Sequence, residues 1–238
     1  MRFRDGCKVI ISPVCEEITR ALEALGIDVI HTEPIEHLID YERYHVDMQM
    51  LLIDRIAFLT DDSVYLEDML SECGYDVCIC SGLRRKYPEN VLLNAALVGN
   101  RLFCKADAIA DKVRDFCEDN SIRVVDNKQG YSKCSTLVIN ENAVITADKS
   151  IYNAAVKENI DVLLITPGFI RLDDDNFGFI GGASGVIGDT VLFFGDVYSH
   201  PDAKLITEFI EKYDMNYISL CDGCLVDLGG LVVIDNLI

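Results

Sequence analysis

The sequence has no hydrophobic run approaching the roughly 20 residues that a membrane-spanning helix needs. Its first residues, Met1-Arg2-Phe3-Arg4-Asp5, lead into a short strand-like run without a signal-peptide cleavage site, so we predict a cytoplasmic location. Basic residues are scarce, with 21 Lys and Arg against 40 Asp and Glu and a net charge of −19. This charge argues against a nucleic acid or an anionic membrane as the partner. Its ordinary meaning is solubility, and the alternative is an acidic face that attracts a cationic ligand.

The sequence also lacks a second CxxC or CxxH pair that would complete a metal site around Cys221-Asp222-Gly223-Cys224. We therefore predict no metal and no other cofactor. Ten cysteines without a secretory signal indicate reduced thiols in a cytoplasm, most of which pack as small apolar core residues. A metal or redox protein built on Cys221 and Cys224 is the weakest alternative.

The sequence does contain a pattern that occurs five times: an apolar pair, a turn residue, and further apolar residues. After each of these hairpins we predict a helix and a short strand, because apolar residues recur there first at helical and then at strand spacing. The predicted helices are 63–73, 107–117, 150–158 and 201–213, and the strands are 75–78, 122–125, 160–164 and 217–220. The turn residues suit tight hairpins and follow one another at intervals of 41 to 48 residues: Asp54, Gly99, Asn140, Gly188 and Asp235.

The fifth unit stops just after its predicted hairpin, and its missing half stands at the start of the chain. Residues 16–25 read as a helix, Gly26 as its terminator and 27–30 as the strand that follows. The segment Gly26-Ile27-Asp28-Val29 closely repeats Gly74-Tyr75-Asp76-Val77. The two ends complement one another, which predicts a single domain over residues 1–238. In this α/β domain the N- and C-terminal segments close a ring without capping repeats.

A ring of five strand–strand–helix–strand units resembles the five-bladed α/β-propeller, or pentein, fold. This is the fold of the guanidino-group-modifying enzymes, which include arginine and agmatine deiminases, amidinotransferases and dimethylarginine hydrolases. All-β propeller blades have a similar repeat length, but the predicted helices argue against them. The chain is also similar to an uncharacterised bacterial subfamily of the pentein fold, which implies no function.

Three motifs carry the resemblance to the active site, because the segments before the hairpins converge on the central axis in the pentein enzymes. His45-Val46-Asp47 resembles the His-x-Asp of the catalytic-histidine blade. Lys133-Cys134-Ser135 resembles the strand that begins with the nucleophilic cysteine, and Asp227-Leu228-Gly229-Gly230 resembles an acidic Gly-Gly motif. The cyclic order of the three motifs matches that of arginine deiminases, whereas their linear order is rotated. This predicts a circular permutation.

The resemblance implies a role for each of these residues. Cys134 would be the nucleophile, with the pKa of its thiol lowered by His45 and Lys133. His45 would protonate the departing amine and later activate water. Asp47 and Asp227 would grip the N–H groups of a small, cationic substrate. We hypothesise a hydrolase or amidinotransferase that forms a covalent adduct on Cys134 with a guanidino, amidino or related group.

One segment departs from the family pattern. Where arginine deiminases carry Phe-Thr-Arg-Asp, this chain has Phe179-Ile180-Gly181-Gly182, so the clamp for a substrate carboxylate is missing and arginine itself is in doubt. We predict that Lys133, Gly181, Gly182 and Ser184 contact the substrate, the glycine-rich stretch through exposed backbone N–H groups. The alternative for this stretch is a glycine-rich bend that lines a crowded axis.

Each candidate residue also has a purely structural interpretation. Cys134 would be one more core cysteine, His45 a surface residue on a loop with Tyr41 and Tyr44, and Asp227 a turn cap. The main functional alternative is a non-catalytic ring that binds a partner, as translation initiation factor six does with this fold. The sequence does not separate hydrolysis from amidino transfer. It does not fix the oligomeric state either, for which a homodimer is one option.

Overall fold

The computed structural model describes residues 3, 6–173 and 176–235, which form a mixed α/β structure. None of the described helices is long and apolar enough to cross a bilayer. The α-helices are α1 (Glu16–Ala24), α2 (Val46–Gln49), α3 (Glu67–Glu72), α4 (Asp111–Asp119), α5 (Lys149–Lys157) and α6 (Ala203–Glu211). The strands are β1 (Lys8–Ile11), β2 (Asp28–His31), β3 (Met50–Ile53), β4 (Ile56–Thr60), β5 (Asp76–Cys80), β6 (Ala96–Val98), β7 (Arg101–Cys104), β8 (Arg123–Asp126), β9 (Thr136–Asn140), β10 (Ala143–Thr146), β11 (Asp161–Leu164), β12 (Ile170–Arg171), β13 (Ser184–Ile187), β14 (Thr190–Phe193), β15 (Asn216–Ser219), β16 (Leu225–Val226) and β17 (Leu231–Ile234).

Five of the sheets share one three-stranded plan. In each, the central strand pairs antiparallel with one neighbour and parallel with the other, as Phe58 does with Leu51 and Cys78. A parallel pair needs a crossover connection, and the helices α1, α3, α4, α5 and α6 lie in these connections. The strand orders are β17-β1-β2, β3-β4-β5, β6-β7-β8, β9-β10-β11 and β13-β14-β15. A separate parallel pair joins β12 to β16.

The hairpin predicted at Asp235 is wrong. β17 ends at Ile234, and its antiparallel partner is β1 from the start of the chain, with Val233 opposite Val9. The short apolar run Lys8–Ile11 is therefore the second strand of this sheet. Because that strand precedes α1 and β2, the sheet combines the first and last described strands of the chain.

Three of the other predicted hairpin turns have the backbone conformation expected for them. Asp54, Gly99 and Gly188 have φ angles of 53°, 58° and 60°. Asn140 instead ends β9, and its side chain accepts a hydrogen bond of 2.8 Å from the Asn142 N–H. This is the other way in which an asparagine makes a turn, by bonding to the backbone two residues on.

The helices follow the prediction with one main difference. Over 63–73 the structure has a 3₁₀ helix at Asp61–Leu66 and an α-helix only at Glu67–Glu72, because Ser63 has non-helical backbone angles of −113° and 21°. Its buried hydroxyl hydrogen-bonds to Thr60 and Gln49. Further 3₁₀ turns occupy Glu89–Val91 and Val197–Ser199.

Each central strand is buried on both faces, because alternate residues pack into different apolar clusters. Phe58 of β4 lies in a cluster with Leu102 of β7, whereas its neighbours Ala57 and Leu59 lie in another with Ile10 of β1. In the same way, shared apolar clusters connect each of the five sheets to two others. The remaining links are Phe103 with Val144, Ile145 with Val191, and Leu192 with Val9.

The strands on the antiparallel side of the five sheets line one common cavity. They are β3, β6, β9, β13 and β17, and the cavity has a volume of about 270 Å³. The chain segments that enter these five strands therefore lie near one another. This arrangement can bring residues from distant parts of the sequence into a single site.

The last described strand, β17, is part of the hydrophobic core. Ile234 is 1% exposed and packs in the cluster that contains Ile10 and Ala57. We expect Ile234→Ala to lower the free energy of unfolding by about 2–5 kcal/mol, since it leaves a cavity between two sheets. Val156→Ala, on the exposed side of α5, should change it by less than about 0.5 kcal/mol. Urea unfolding followed by circular dichroism measures both, and equal small effects would contradict the role given to β17.

Candidate active site

The segments that lead into the antiparallel-side strands bring most of the predicted site residues together. His45 immediately precedes α2, and Asp47 lies within that short helix. Lys133 and Cys134 lie just before β9, and Asp227 lies between β16 and β17. Three sheets thus contribute to one cluster of polar side chains.

Cys134 lies in a polar environment although it is only 2% exposed. Its thiol donates a hydrogen bond of 2.7 Å to Oδ2 of Asp47, and a ring nitrogen of His45 lies within 4.8 Å of both groups. Among the described residues, Cys134 belongs to none of the six apolar clusters. These contacts argue against its interpretation as an ordinary core cysteine.

Asn94 is a site residue that the sequence analysis does not single out. Its Oδ1 accepts hydrogen bonds from the backbone N–H groups of Lys133, at 2.8 Å, and of Cys134, at 3.4 Å. Its Nδ2 lies 3.5 Å from the Cys134 sulfur, to which it donates. Asn94 therefore fixes both the backbone and the side chain of the cysteine. The available signal was its position, since it stands just before β6 as Cys134 stands before β9.

The electrostatics of the thiol differ from the prediction. We expected His45 and Lys133 to lower the pKa of Cys134, but burial, followed by the charges of Asp47 and Asp227, raises it well above the ordinary value. Burial also raises the pKa of the Asp47 carboxyl to about 6, against the opposing charges of His45 and Lys133. Oδ1 of Asp47 is buried without a hydrogen-bond partner among the described residues. The site is therefore short of positive charge and of donors.

Asp227 is held firmly beside His45. Its carboxylate accepts the N–H of Phe179 at 2.8 Å and that of Gly229 at 3.0 Å, and Oδ1 lies 3.9 Å from Nδ1 of His45. A Cβ at Gly182 would lie 1.9 Å from Oδ1 of Asp227, and one at Gly229, where φ is 78°, would lie 2.5 Å from Cβ of His45. Only glycine fits these two positions. The glycines thus permit the close approach of carboxylate and imidazole.

Two of the groups that the sequence analysis predicts to contact the substrate donate hydrogen bonds within the protein. The N–H of Gly182 donates to the Cys134 carbonyl at 2.9 Å, and the Ser184 hydroxyl donates to the Ile180 carbonyl at 2.6 Å. Both groups are already used within the protein. Gly181, Ser184 and Lys133, together with Asp47, line the common cavity of the five sheets rather than the pocket that Cys134 faces.

That second pocket, which we call the thiol pocket, has a volume of about 200 Å³. His45, Cys134 and Asp227 lie in its wall, together with the aromatic side chains Tyr41, Tyr131, Phe177 and Phe179. Glu42 also lines it, although this carboxylate is only 6% exposed. The pocket is therefore aromatic and acidic.

Glu42 and Tyr131 are further residues that the motifs did not predict. The Tyr131 hydroxyl donates to Glu42 at 2.8 Å, and Nδ2 of Asn90 donates to the other carboxylate oxygen at 3.0 Å. The rings of Tyr131 and Phe179 stack with centroids 6.2 Å apart. The only sequence signal was the nearness of Glu42 to the His45 motif.

The alternative site at Cys221 and Cys224 gains no support. Cys221 is half-buried and Cys224 exposed, and burial raises the pKa of Cys221 to about 11. In the described part of the chain, the residues whose ligand atoms converge closely enough for a metal ion are His45, Asp47 and Cys134. A closed structural zinc site would need a fourth ligand.

A protein-family model matches most of the chain. A family model described as a family of unknown function, DUF6873, matches residues 10–232, so the chain belongs to this family. No curated protein matches the chain.

Solved structures of low sequence identity have the same fold. A DDAH from Pseudomonas aeruginosa in complex with citrulline is 13% identical, with a TM-score of 0.56 and 92% of each chain covered. The C. jejuni agmatine deiminase is 9% identical, with a TM-score of 0.55 over 92% of this chain and 88% of the other. SxtG, an amidinotransferase from Microseira wollei, is 10% identical, with a TM-score of 0.55 over 93% and 79%. The resemblance to the pentein fold is thereby confirmed.

The carboxylate beside the thiol predicts the reactivity of Cys134. Asp47→Asn removes a negative charge at 2.7 Å from the sulfur, so the pKa of the thiol should fall. Alkylation of Cys134 by neutral iodoacetamide at about pH 8 should then accelerate at least about threefold, read by peptide mass spectrometry. The control is Asp54→Asn, which removes a charge at a hairpin where asparagine tolerates the same φ. Equal rates in the two variants would contradict the electrostatic account.

Asp47 also predicts a pH dependence of stability. Its carboxyl keeps its proton up to about pH 6 in the folded protein, whereas an unperturbed aspartate releases it near 3.8. Between these values the folded state binds more protons, so wild type loses stability relative to Asp47→Asn as the pH rises. The loss should be on the order of 3 kcal/mol between about pH 4 and about pH 6, and constant above that range. Urea unfolding of both proteins across this range measures it, and a constant difference would show that Asp47 is not perturbed.

Proposed function

We propose that this protein is a thiol enzyme that cleaves a C–N bond of a guanidinium or amidinium cation through a covalent adduct on Cys134. The observation that carries the proposal is the juxtaposition of the Cys134 thiol, the Asp47 carboxylate and the His45 imidazole within 4.8 Å of one another. The fold supports it, since pentein-fold neighbours include a dimethylarginine dimethylaminohydrolase, an agmatine deiminase and an amidinotransferase.

The charge of the site favours a cation as the substrate. Asp227 and Glu42 line the thiol pocket, and Asp47 accepts the hydrogen bond of the thiol at 2.7 Å, with its other oxygen unpartnered among the described residues. An amidinium group carries planar N–H donors that match carboxylate oxygens. A cation bound there also offsets the carboxylate charges that hold the thiol proton on Cys134. Substrate binding would therefore lower the pKa of the thiol and prepare it to lose its proton in the reaction, whereas the free enzyme would keep an unreactive thiol.

The reaction then follows from the positions of three residues. The Cys134 sulfur forms a bond to the amidinium carbon as its proton passes to His45, and the C=N electron pair moves onto nitrogen. His45 returns this proton to the departing nitrogen as the C–N bond breaks, which releases an amine and leaves an S-amidino adduct. Asp227 and Glu42, which line the thiol pocket, hold the remaining N–H groups.

A second half-reaction releases the product. Water gives a proton to His45 as its oxygen bonds to the adduct carbon, and the C–S bond then breaks. The sulfur takes back the proton from His45, which restores the thiol and the neutral imidazole. A second amine in place of water would make the reaction an amidino transfer, and both outcomes use the same residues.

We also propose that the five three-stranded sheets form a closed, five-bladed ring that is circularly permuted relative to its enzymatic relatives. The five apolar links described above connect each sheet to two others and return from the fifth sheet to the first. The pairing of β17 with β1 joins the ends of the chain. The common cavity would then lie on the ring axis.

Covalent trapping tests the proposed chemistry. Chloroacetamidine is a cationic electrophile, and chloroacetamide is its neutral analogue. We expect the cationic reagent to label Cys134 at least about ten times faster than the neutral one, because the carboxylates attract it and lower the pKa of the thiol. At the exposed Cys224 the two rates should be similar. Peptide mass spectrometry gives the rate at each cysteine.

Asp227→Asn serves as the matched variant, since it removes one pocket carboxylate and keeps the side-chain size. It should reduce the preference of Cys134 for the cationic reagent and leave the ratio at Cys224 unchanged. Preferential labelling of another cysteine, or equal labelling of Cys134 by both reagents, would overturn the proposal.

A further inference from the structure

A further cavity lies beside the thiol pocket. It has a volume of about 390 Å³, and Phe177 and Phe179 lie in the walls of both cavities. We call this further cavity the tail groove. Its floor consists of the buried residues Ile165, Ile170 and Ile180. A molecule that fills the thiol pocket and extends past the two phenylalanines would enter an apolar space.

Residues 177–179 lie between the two cavities, and Phe177 and Phe179 line both of them. Gly178 donates its N–H to the Ile170 carbonyl at 2.8 Å, and Phe179 donates its N–H to Asp227 at 2.8 Å. A Cβ at Gly178 would lie 2.3 Å from Cβ of Asp227. The backbone therefore lies flat against the catalytic carboxylate, and the two phenylalanine side chains on either side of Gly178 form the common wall.

Charge also distinguishes the two cavities from a site for amino acids. Among the described residues, no lysine or arginine lines either cavity. The ionisable residue in the tail groove is Asp148, whose Oδ1 caps α5 by accepting the N–H groups of Ser150 and Ile151. Among the described residues that line the two cavities, a carboxylate on the ligand would meet Glu42, Asp227 and Asp148 and no lysine or arginine.

Exposure of an aromatic side chain indicates which ligand surface fits. Phe177 is 68% exposed although it lies at the junction of the two cavities. The Phe177 ring is therefore accessible to a ligand that spans the thiol pocket and the tail groove. A cavity of about 150 Å³ lined by apolar residues is enough to bind benzene, so the tail groove has room for an aryl group or a short alkyl chain.

We infer that the substrates are guanidines or amidines that carry an uncharged alkyl or aryl substituent and no carboxylate. The cationic head lies in the thiol pocket beside Cys134, and the substituent passes Phe177 and Phe179 into the tail groove. This inference rests on the proposed function, since it takes the thiol pocket as the site of the reacting carbon. Enzymes of this specificity would act downstream of a reaction that adds an amidino group to an alkyl or aryl amine.

The test uses protection of Cys134 from chloroacetamidine by methyl-, butyl- and hexylguanidine. Each methylene that enters the tail groove should tighten inhibition by about threefold to fourfold. Hexylguanidine should thus protect at least about thirtyfold better than methylguanidine. The matched probe is 4-guanidinobutyrate, which ends in a carboxylate where butylguanidine ends in a methyl group, and it should protect at least about tenfold less well than butylguanidine.

Two variants locate the effect. Ala147→Glu places a charge in the tail groove, so it should reduce the hexyl-to-methyl ratio at least about fivefold. Phe169→Ser removes an exposed ring that packs against His200 and lines neither cavity, so this ratio should not change. The wild-type series decides the question even if Ala147→Glu does not fold.

The outcomes separate the two proposals. If chloroacetamidine fails to label Cys134 in wild type, the proposed function fails, and calorimetric titration with methyl- and hexylguanidine then measures the tail preference directly. If labelling proceeds but protection is independent of chain length, the tail groove is not a binding site. Equal protection by 4-guanidinobutyrate and butylguanidine would likewise overturn the inference.

Discussion

The hydrogen bond between the Cys134 thiol and the Asp47 carboxylate is the interaction on which the rest of the site depends. Both side chains are almost fully buried, and in the described part of the chain no cation forms an ion pair with Asp47. Burial favours the protonated forms of both groups, and the charges of Asp47 and Asp227 raise the pKa of the thiol further. The free protein therefore holds a thiol and not a thiolate. In the proposed mechanism such a thiol is activated by the ligand, which would link its reactivity to the recognition of positive charge.

The fold makes this contact out of residues that are far apart in the sequence. Cys134 and Asp47 are separated by 87 residues, and Asn94, which fixes the cysteine, comes from a third unit. Each of these residues ends a segment that leads into a strand on the antiparallel side of its sheet. The central strands are buried on both faces, so the positions of the five sheets are fixed by packing. Close packing of this kind holds the side chains of the candidate site in position without any long-range covalent link.

The sequence predicted the elements well where local chemistry decides them. Alternating apolar runs gave the strands, and turns at Asp54, Gly99 and Gly188 follow from the tolerance of these residues for positive φ. The position of the strand Lys8–Ile11 was harder, because its partner is at the far end of the chain and no local pattern records that pairing. The 3₁₀ turn at Asp61–Leu66 depends on hydrogen bonds of Ser63 to Thr60 and Gln49, which are also non-local in part.

The convergence of the predicted residues could be inferred from the sequence, but the direction of the shift in the thiol pKa could not. His45, Asp47, Cys134 and Asp227 do converge, as their motifs indicated. The direction of the thiol pKa depends on burial and on which charge lies nearest to sulfur, and neither is written in a motif. Glu42 and Tyr131 both line the thiol pocket and are hydrogen-bonded to each other, although they are 89 residues apart. Glu42 lies near the His45 motif, but no sequence pattern indicates its pairing with Tyr131.

In the proposed mechanism, a bound cation converts a protonated Cys134 into the nucleophile. The most direct measurement is the pKa of this thiol, from the ¹³Cβ chemical shift of labelled cysteine, with Cys134→Ser used for assignment. The titration is repeated with a saturating cationic ligand whose C–N bonds the protein does not cleave. We predict that the pKa of Cys134 is above the ordinary thiol value in the free protein and falls by at least about one unit in the complex. A pKa that is already low in the free protein, or that the cation leaves unchanged, would contradict the account.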